Sequence, residues 1–209
     1  MATKVLVHYP VAIWQKQSYE SVLNLDTEGL YVDFYITCYN PVNPNYDGRG
    51  IEKNPKWREN IAFKMNKARA LVLNFNYDYL LNIEHDMIVP RNALKELLKY
   101  ATPNRVLCAL YRCRKIRNNK APLCFHKKFE DGRITWVEDN YVKDKEMIEV
   151  YTIPFGCTLF GKNVLQKISF KDGIDGTFAV ETDKLNIKKY IITKVVCGHI
   201  DRDGVIYYP

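Results

Sequence analysis

The chain has 209 residues, of which 47% are apolar and 26% charged, and its net charge is +7. These values are ordinary for a globular protein, and no apolar run approaches the ~20 residues of a membrane-spanning helix. The apolar run after Met1 is also too short for a signal peptide, so we expect a single-domain cytoplasmic protein without a transmembrane segment. The positive charge suits an anionic partner, such as a nucleotide, a nucleic acid or an acidic membrane surface, without choosing among them.

The cysteines favour buried, reduced thiols over a zinc site. No two of them form a Cys-x-x-Cys pair, and most lie in apolar, strand-like surroundings. The alternative is that some of them form disulfide bonds, as occurs inside thermophile cells. The six are Cys38, Cys108, Cys113, Cys124, Cys157 and Cys197.

The chain begins with a pattern of strand, helix and strand. Residues 5–9 predict a strand that Pro10 ends, residues 14–25 a helix, and residues 31–38 a second strand. This order is typical of a parallel sheet. Residues 40–54 form a turn-rich segment, which is long enough to favour a functional role over a simple connection.

A longer helix and an acid-ended strand follow. Asn54-Pro55 is a favourable helix start, because Asn caps well and Pro fits the first helical position. Apolar residues then recur every three or four positions, which predicts the buried stripe of an amphipathic helix, with Lys64 among the basic residues off much of that stripe. The run from Tyr79 to Ile83 predicts a buried strand. The stripe comprises Trp57, Ile61, Met65, Ala68 and Val72.

The second half alternates shorter elements. We predict helices at 92–100 and 162–168, strands at 105–111, 148–153, 157–160 and 190–197, and a hairpin across 127–138 around Asp131-Gly132. A basic segment comes after the strand at 105–111. This pattern predicts a solvated loop, and binding to a phosphate, an acidic acceptor or a membrane surface is the alternative. Its charges are Arg112, Arg114, Lys115, Arg117 and Lys120.

Two acids separated by one residue end the strand at 79–83. Glu84 and Asp86 would face the same side of an extended chain, with His85 on the other side as a packing residue. Buried carboxylates are costly unless they are paired or bind a metal, and ligands of α/β sheets bind at the carboxyl ends of strands. Mg²⁺ and Mn²⁺ suit this position, since such ions use few carboxylates and take further ligands from substrate phosphates.

Several segments, in consistent order, resemble the GT-A glycosyltransferases. That family places a basic, Asn-containing helix before an apolar strand ending in Asp-x-Asp, as in residues 58–86, where the motif is Glu84-His85-Asp86. Residues 154–160, Pro-Phe-Gly-Cys-Thr-Leu-Phe, resemble the family's acceptor-side segment. Asp175 precedes Phe178 by three positions, like the family's general base, and residues 196–199 resemble a late strand that ends in a metal-binding histidine.

The resemblance implies a single-domain GT-A (Rossmann-like) αβα sandwich with a mostly parallel central sheet and a smaller β hairpin region. Residues of about 1–100 would form the nucleotide-sugar-binding half and about 101–209 the acceptor-side half. Mn²⁺ or Mg²⁺ would be bound by Asp86 directly, by His199, and by Glu84 through water and the donor sugar. Tyr9, Pro10 and Asn40 would border the base of the nucleotide, with Asn66 and Arg69 nearer the ribose and phosphates.

The implied reaction is metal-dependent transfer of a sugar from a UDP- or GDP-sugar to a hydroxyl of a glycan or protein acceptor. Asp175 as general base favours inversion, with Asp172 as the competing base, and a retaining route is open without a positioned base. Asp175 and His199 each also have a non-functional interpretation. Asp175 could be a residue of an Asp-Gly turn, and His199 could be a capped or surface histidine.

Two other functions compete with glycosyl transfer. A nucleotidyltransferase can share the architecture and the metal site, but residues 9–13 lack its usual glycine-rich, basic signature. A basic nucleic-acid-binding protein without catalysis is the second, although we expect no stable nucleic-acid partner. The chain has no Gly-x-Gly-x-x-Gly and no Walker loop, which disfavours dinucleotide and P-loop enzymes.

Overall fold

The computed structural model describes residues 2–38, 57–113, 121–173, 175–201 and 203–209. The strands in chain order are β1 (Lys4–Pro10), β2 (Tyr31–Thr37), β3 (Tyr79–Ile83), β4 (Met87–Ile88), β5 (Val106–Leu110), β6 (His126–Lys128), β7 (Ile134–Trp136), β8 (Met147–Glu149), β9 (Cys157–Gly161), β10 (Lys189–Val196), β11 (Gly198–Ile200) and β12 (Ile206–Tyr207). The helices are α1 (Lys16–Leu23), α2 (Trp57–Asn74), α3 (Ala93–Leu98), α4 (Asp139–Val142), α5 (Lys162–Lys167) and α6 (Asp175–Lys184).

Seven strands form the central sheet, in the order β2-β1-β3-β9-β5-β10-β8. Strands β1, β2 and β3 are parallel to one another, and β5 is parallel to β10. Strand β9 lies antiparallel between β3 and β5, and β8 is antiparallel to β10, so five strands run in one direction. The predicted α/β class with a mostly parallel sheet is confirmed, and the carboxyl ends of β1, β2 and β3 lie together at one edge.

One hydrophobic core spans both predicted halves of the chain. It joins residues of the early strands, such as Val7 and Leu81, to residues of the later strands, such as Leu107, Leu159 and Ile191. All five residues of β5 and of β9 are buried, as expected for strands covered on both faces. The division into a nucleotide half and an acceptor half stays a prediction.

Two small sheets complete the fold. Strands β6 and β7 form the predicted hairpin, with Gly132 at φ +83° in its turn. Strands β12, β11 and β4 form a three-stranded antiparallel sheet, which places the end of the chain beside the segment that follows β3. Within the described part of the chain, no helix is both long and apolar enough to cross a membrane.

Helix α6 is absent from the sequence prediction, which allowed a turn at this point. Gly173 makes the turn at φ +62°, and the Asp172 carboxylate accepts a hydrogen bond from Thr177 Oγ1 at 2.7 Å across the start of the helix. Phe178 anchors the helix against Phe155, with ring centroids 5.3 Å apart. Tertiary packing of an aromatic residue therefore stabilises a helix whose local pattern is weak.

The strand predicted at 148–153 is shorter and shifted in the structure. Only Met147–Glu149 pairs, with β10, and the chain then turns toward the hairpin, where Tyr151 N donates to the carbonyl of His126. The isolated bridge between His126 and Thr152 replaces a continuous strand. The apolar pattern marked burial correctly, with Val150 and Ile153 in the core, but it did not decide the pairing partner.

Candidate functional site

The acid motif lies in a turn between β3 and β4. Glu84 N donates to the carbonyl of Gly156 at 2.8 Å, and Met87 N donates to the carbonyl of Glu84 at 3.0 Å. Residues 85 and 86 are turn residues, so the expectation of two acids on one face of an extended chain is wrong for this backbone. Asp86 is only 4% exposed, whereas Glu84 is partly exposed.

Strand pairing brings His199 to Asp86. Strand β11 lies antiparallel to β4, with His199 opposite Met87, and Ile200 N donates to the carbonyl of Asp86 at 2.8 Å. This pairing places His199 Nε2 at 3.7 Å from Asp86 Oδ2. The structure therefore brings together two of the predicted metal ligands, which are far apart in the sequence.

The tautomer of His199 follows from its second contact. His199 Nδ1 lies 2.7 Å from the carbonyl oxygen of Arg112, which can only accept, so Nδ1 carries the proton. In the neutral ring, Nε2 then has a lone pair. This atom is buried and has no hydrogen-bond partner in the part of the chain that the structure describes.

These two groups fit a divalent ion. Bonds of about 2.1 Å are usual for Mg²⁺ to oxygen and for Zn²⁺ to histidine nitrogen, and two such bonds can span the 3.7 Å between Nε2 and Oδ2. The backbone carbonyl on Nδ1 is also the usual support of a metal-binding histidine. Among the described residues, no group of three or more His, Cys, Asp and Glu side chains forms a complete metal site. An ion held here would therefore take most of its ligands from substrate and water.

Tyr111 and Gly156 form a wall beside His199. Gly156 N donates to Tyr111 Oη at 2.9 Å, and the Tyr111 ring packs edge-on against the His199 ring, with centroids 5.6 Å apart. Burial raises the pKa of Tyr111 well above its usual value, and negative charges nearby, including Glu84 and Asp175, raise it further. The phenol therefore stays neutral. This role of Tyr111 was not predictable from the sequence, in which Tyr111 is only the last residue of an apolar strand.

Asp175 is the first residue of α6 and lies within electrostatic reach of Tyr111. Burial raises the pKa of its carboxyl to about 6, and the charge of Asp172 adds to the effect. The competing base, Asp172, accepts a hydrogen bond from the hydroxyl of Thr177 at 2.7 Å. A carboxyl with a raised pKa is a better proton acceptor, which favours Asp175 as a candidate base.

A buried polar chain supports the acceptor-side segment from below. Asn82 Nδ2 donates to the carbonyl of Phe155 at 2.6 Å, so Asn82 Oδ1 accepts from His8 Nδ1 at 2.8 Å. His8 Nε2 in turn accepts from Thr37 Oγ1 at 3.1 Å. Burial lowers the pKa of His8 to about 3, which keeps the ring neutral. This chain links the ends of three parallel strands to residues 154–156, and the sequence patterns did not reveal it.

The residues predicted to contact the nucleotide are not brought together in the way that Asp86 and His199 are. Tyr9 is 1% exposed and its hydroxyl donates to Ser18 Oγ at 3.0 Å, so its ring lies under the motif, not at a binding surface. Pro10 is the last residue of β1 and partly exposed. Asn40 lies outside the described residues.

Asn66 and Arg69 hold α2 to α5 and to the segment that follows it. Both ends of the Asn66 amide bond to the backbone of Phe170, at 2.7 and 3.0 Å, and Arg69 Nε donates to the carbonyl of Leu165 at 2.6 Å. The structure thus gives these polar atoms a role in packing, and their place at the ribose and phosphates stays a prediction.

Lys64 is the basic residue of α2 at the carboxyl edge of the sheet. The sequence placed it off the buried stripe, but it is 4% exposed, and Nζ donates to the carbonyl of Val11 at 3.0 Å, just beyond β1. Burial lowers its pKa to about 8. The helix packs over the end of β1, which explains why this side chain is enclosed.

The basic segment is described only in part. Residues 114–120 lie outside the described residues, so the predicted alternatives for this loop stay open. The Arg112 guanidinium donates to the carbonyls of Tyr208 and Ala121 and to Asp139 Oδ1, at 3.0, 2.7 and 2.9 Å. Arg112 is thus a structural cation that fixes the carbonyl on which His199 depends.

The cysteines are all free thiols in the structure. Cys108, Cys157 and Cys197 are buried in the core. Cys113 Sγ and Cys124 Sγ lie 3.0 Å apart, next to the bridge between Arg112 and Leu123.

No family model matches the chain, and no curated protein matches it. Among solved structures, the crystal structure of A197 from STIV is similar over 99% of this chain and 94% of that chain, with a TM-score of 0.61 and 14% sequence identity. At this identity the likeness shows a shared fold alone.

Proposed function

We propose that the chain is a metal-dependent glycosyltransferase that moves a sugar from a UDP- or GDP-sugar to an acceptor hydroxyl. The observation that carries the proposal is the pair of Asp86 Oδ2 and His199 Nε2 at 3.7 Å, with Nε2 buried and its tautomer set by the Arg112 carbonyl. A lone acid would be weaker support, because buried carboxylates also occur in ion pairs. The ordered resemblance of the surrounding segments to GT-A enzymes supports the same function.

Asp86 and His199 would hold Mn²⁺ or Mg²⁺, and Glu84, which is partly exposed, would contact the donor. Such an ion neutralises a diphosphate and stabilises it as leaving group. The incomplete ligand set suits this role, since donor phosphates can complete the coordination. Tyr111, neutral and bonded to Gly156, keeps the histidine ring in place beside the acid.

Asp175 would act as the general base. Its carboxylate would accept the proton of the acceptor hydroxyl, whose oxygen attacks the anomeric carbon while the bond to the diphosphate breaks, which inverts the anomeric configuration. A pKa of about 6 suits this role, because the group is mostly ionised at neutral pH and still basic enough to take a proton. Asp172 remains the weaker candidate, since its carboxylate already accepts a hydrogen bond from the hydroxyl of Thr177.

Calorimetric titration tests the proposal. UDP, GDP and their sugars are added to the protein with and without Mn²⁺, and we expect at least one to bind only in the presence of the ion. Asp86→Asn and His199→Gln should each lose this binding, while the exposed hairpin variant Asp131→Asn should keep it.

Two results would contradict the proposal. Failure of every nucleotide to bind in a metal-dependent way would remove its basis. Release of pyrophosphate from UTP or GTP in the presence of a sugar phosphate would instead identify the nucleotidyltransferase alternative.

A further inference from the structure

A cleft lies beside the candidate metal site and plays no part in the chemistry assigned above. Its volume is about 440 Å³, within the range of about 300–1,000 Å³ that is usual for small-molecule sites. We call it the Trp136 cleft. Its lining includes Arg112, Leu123, Trp136, Val137, Glu138 and Asp139.

Arg112 connects this cleft to the site. Its carbonyl accepts the His199 Nδ1 proton at 2.7 Å, while its side chain lines the cleft. Leu123, on the cleft wall, is bridged to Arg112 by backbone pairing. A ligand in the cleft would therefore lie one residue away from the pair of Asp86 and His199.

The charges of the cleft argue against a phosphate group. The one cation in the described lining is Arg112, whose guanidinium is engaged with Asp139 Oδ1 and two carbonyls. Asp139 is neutralised by the same contact, which leaves the exposed carboxylate of Glu138 at the rim. On the described side of the cleft, the Glu138 carboxylate disfavours an anionic ligand and can accept hydrogen bonds from the hydroxyls of an uncharged one.

The side chains match the two faces of a sugar ring. The lining is mainly apolar and combines the indole of Trp136 with the planar polar groups of Glu138, Asp139 and Asn140. A pyranose offers C–H groups to an aromatic face and hydroxyls to carboxylates and amides, so this combination suits it.

The indole is held in place before any ligand binds. His126 pairs with Trp136 across the hairpin, and the two rings pack with centroids 4.0 Å apart. His126 Nδ1 lies 2.6 Å from Thr152 Oγ1, which fixes the imidazole in turn. Because the indole is already ordered by these contacts, binding of a ligand would cost it little conformational entropy.

We infer that the Trp136 cleft binds the acceptor as an uncharged pyranose unit of a glycan. The assignment of the bound saccharide as the acceptor rests on the proposed function, but the binding of a saccharide can be measured by itself. It names a neutral glycan as the acceptor class, in place of the open choice between glycan and protein.

Saturation-transfer NMR tests the inference with methyl α- and β-pyranosides of glucose, galactose and mannose as probes. We expect saturation of ring C–H protons for at least one probe with the native protein, and its loss in Trp136→Ala. The matched control is Trp14→Ala, which removes a 55% exposed tryptophan and should keep the signal. Glu138→Ala, at the exposed rim, should weaken the binding of the same probe roughly 2- to 10-fold. This second variant tests the inference if Trp136→Ala fails to fold.

The outcomes separate the two proposals. Absence of saturation for every probe, or an unchanged signal in both Trp136→Ala and Glu138→Ala, overturns the saccharide cleft. Loss of Mn²⁺-dependent UDP or GDP binding in folded Trp136→Ala also overturns it, because the cleft would then serve the nucleotide. Saccharide binding without any metal-dependent nucleotide binding in the native protein supports the cleft and contradicts the proposed glycosyltransferase.

Discussion

At the scale of single residues, environment separates carboxylates that look alike in the sequence. Asp172 and Asp175 lie three positions apart, yet one accepts a hydrogen bond from Thr177 while burial raises the pKa of the other to about 6. A similar separation holds in the motif, where Asp86 is buried beside His199 and Glu84 is partly exposed. Distinct environments of this kind are what assign different chemical roles to one residue type.

The raised pKa of Asp175 predicts a pH dependence of transfer. The rate should increase as pH rises through about 6, because the carboxylate form is the base. Asp175→Asn should lower the transfer rate by roughly 10²- to 10⁴-fold and leave metal-dependent nucleotide binding intact. The measurement is a pH profile of the transfer rate for the native protein, Asp175→Asn and Asp172→Asn. A larger loss in Asp172→Asn than in Asp175→Asn would reverse the assignment.

The same shift predicts a change in stability. The folded state binds the Asp175 proton more tightly than the unfolded chain, since its pKa rises from 3.8 to about 6. The stabilising contribution is therefore complete below pH 3.8 and is lost as pH rises through about 6. Asp175→Asn should raise the melting temperature at pH 7 more than at pH 4, as thermal unfolding by circular dichroism can show. An equal effect at both pH values would contradict the raised pKa.

At the scale of elements, the short segment of residues 154–156 joins three parts of the site. Its Phe155 carbonyl accepts from Asn82, its Gly156 carbonyl accepts from Glu84 N, and Gly156 N donates to Tyr111 Oη. A Cβ at position 156 would lie 2.5 Å from Tyr111 Oη and 3.0 Å from Met87 Sδ. Glycine is therefore required here by close approach of its neighbours.

Gly156→Ala should destabilise the fold and disturb the site together. Overpacking of this kind costs about 1–3 kcal/mol, and each kcal/mol lowers the melting temperature by roughly 2–4 °C in a chain of this size. Thermal unfolding and Mn²⁺-dependent nucleotide titration measure the two effects. Gly29→Ala is the control for a similar loss of stability away from the site, since nothing lies within 4 Å of its Cβ and its φ of +78° costs about 1–2 kcal/mol of backbone strain. It should keep the nucleotide affinity of the native protein. Equal nucleotide affinity in Gly156→Ala and the native protein would show that this segment does not position the site.

At the scale of the whole molecule, the net charge of +7 leaves the nucleic-acid alternative to be tested. Several described cations are engaged within the fold: Lys64 and Arg112 bond backbone carbonyls, and Lys128 pairs with Asp183 at 2.8 Å. Lys188 pairs with Glu149 at 2.6 Å in the same way. These contacts occupy hydrogen-bond donors that would otherwise be available to phosphate oxygens.

We expect only weak, salt-sensitive binding to single-stranded RNA or DNA. Fluorescence anisotropy with a labelled oligonucleotide should give a dissociation constant no tighter than about 10⁻⁶ M at physiological salt, as for non-specific contacts. Mn²⁺ and Asp86→Asn should leave it unchanged. Tight binding that survives Asp86→Asn, in a protein that binds no sugar nucleotide, would favour the nucleic-acid-binding protein.

The parts of the fold that depend on local pattern were predictable. Alternation and continuous apolar runs placed β1, β2, β3, β5, β9 and β10 within a few residues, and turn residues located the hairpin. The position at a strand end singled out Glu84 and Asp86, and the resemblance to GT-A enzymes added His199 and Asp175. The contacts of Asn66 with Phe170 and of Arg69 with Leu165 were not predictable, since a polar residue on a helix looks the same in the sequence whether it meets a ligand or a backbone carbonyl.

The sequence by itself therefore determined the α/β class and the strand that ends in the acid motif, because these depend on neighbours along the chain. Tertiary structure alone decided that His199 meets Asp86 at 3.7 Å, that Arg112 sets its tautomer and that β9 enters the sheet antiparallel. The physical reason is that these facts depend on strand pairing and burial between distant segments. Local propensity carries little information about which distant partner each strand selects.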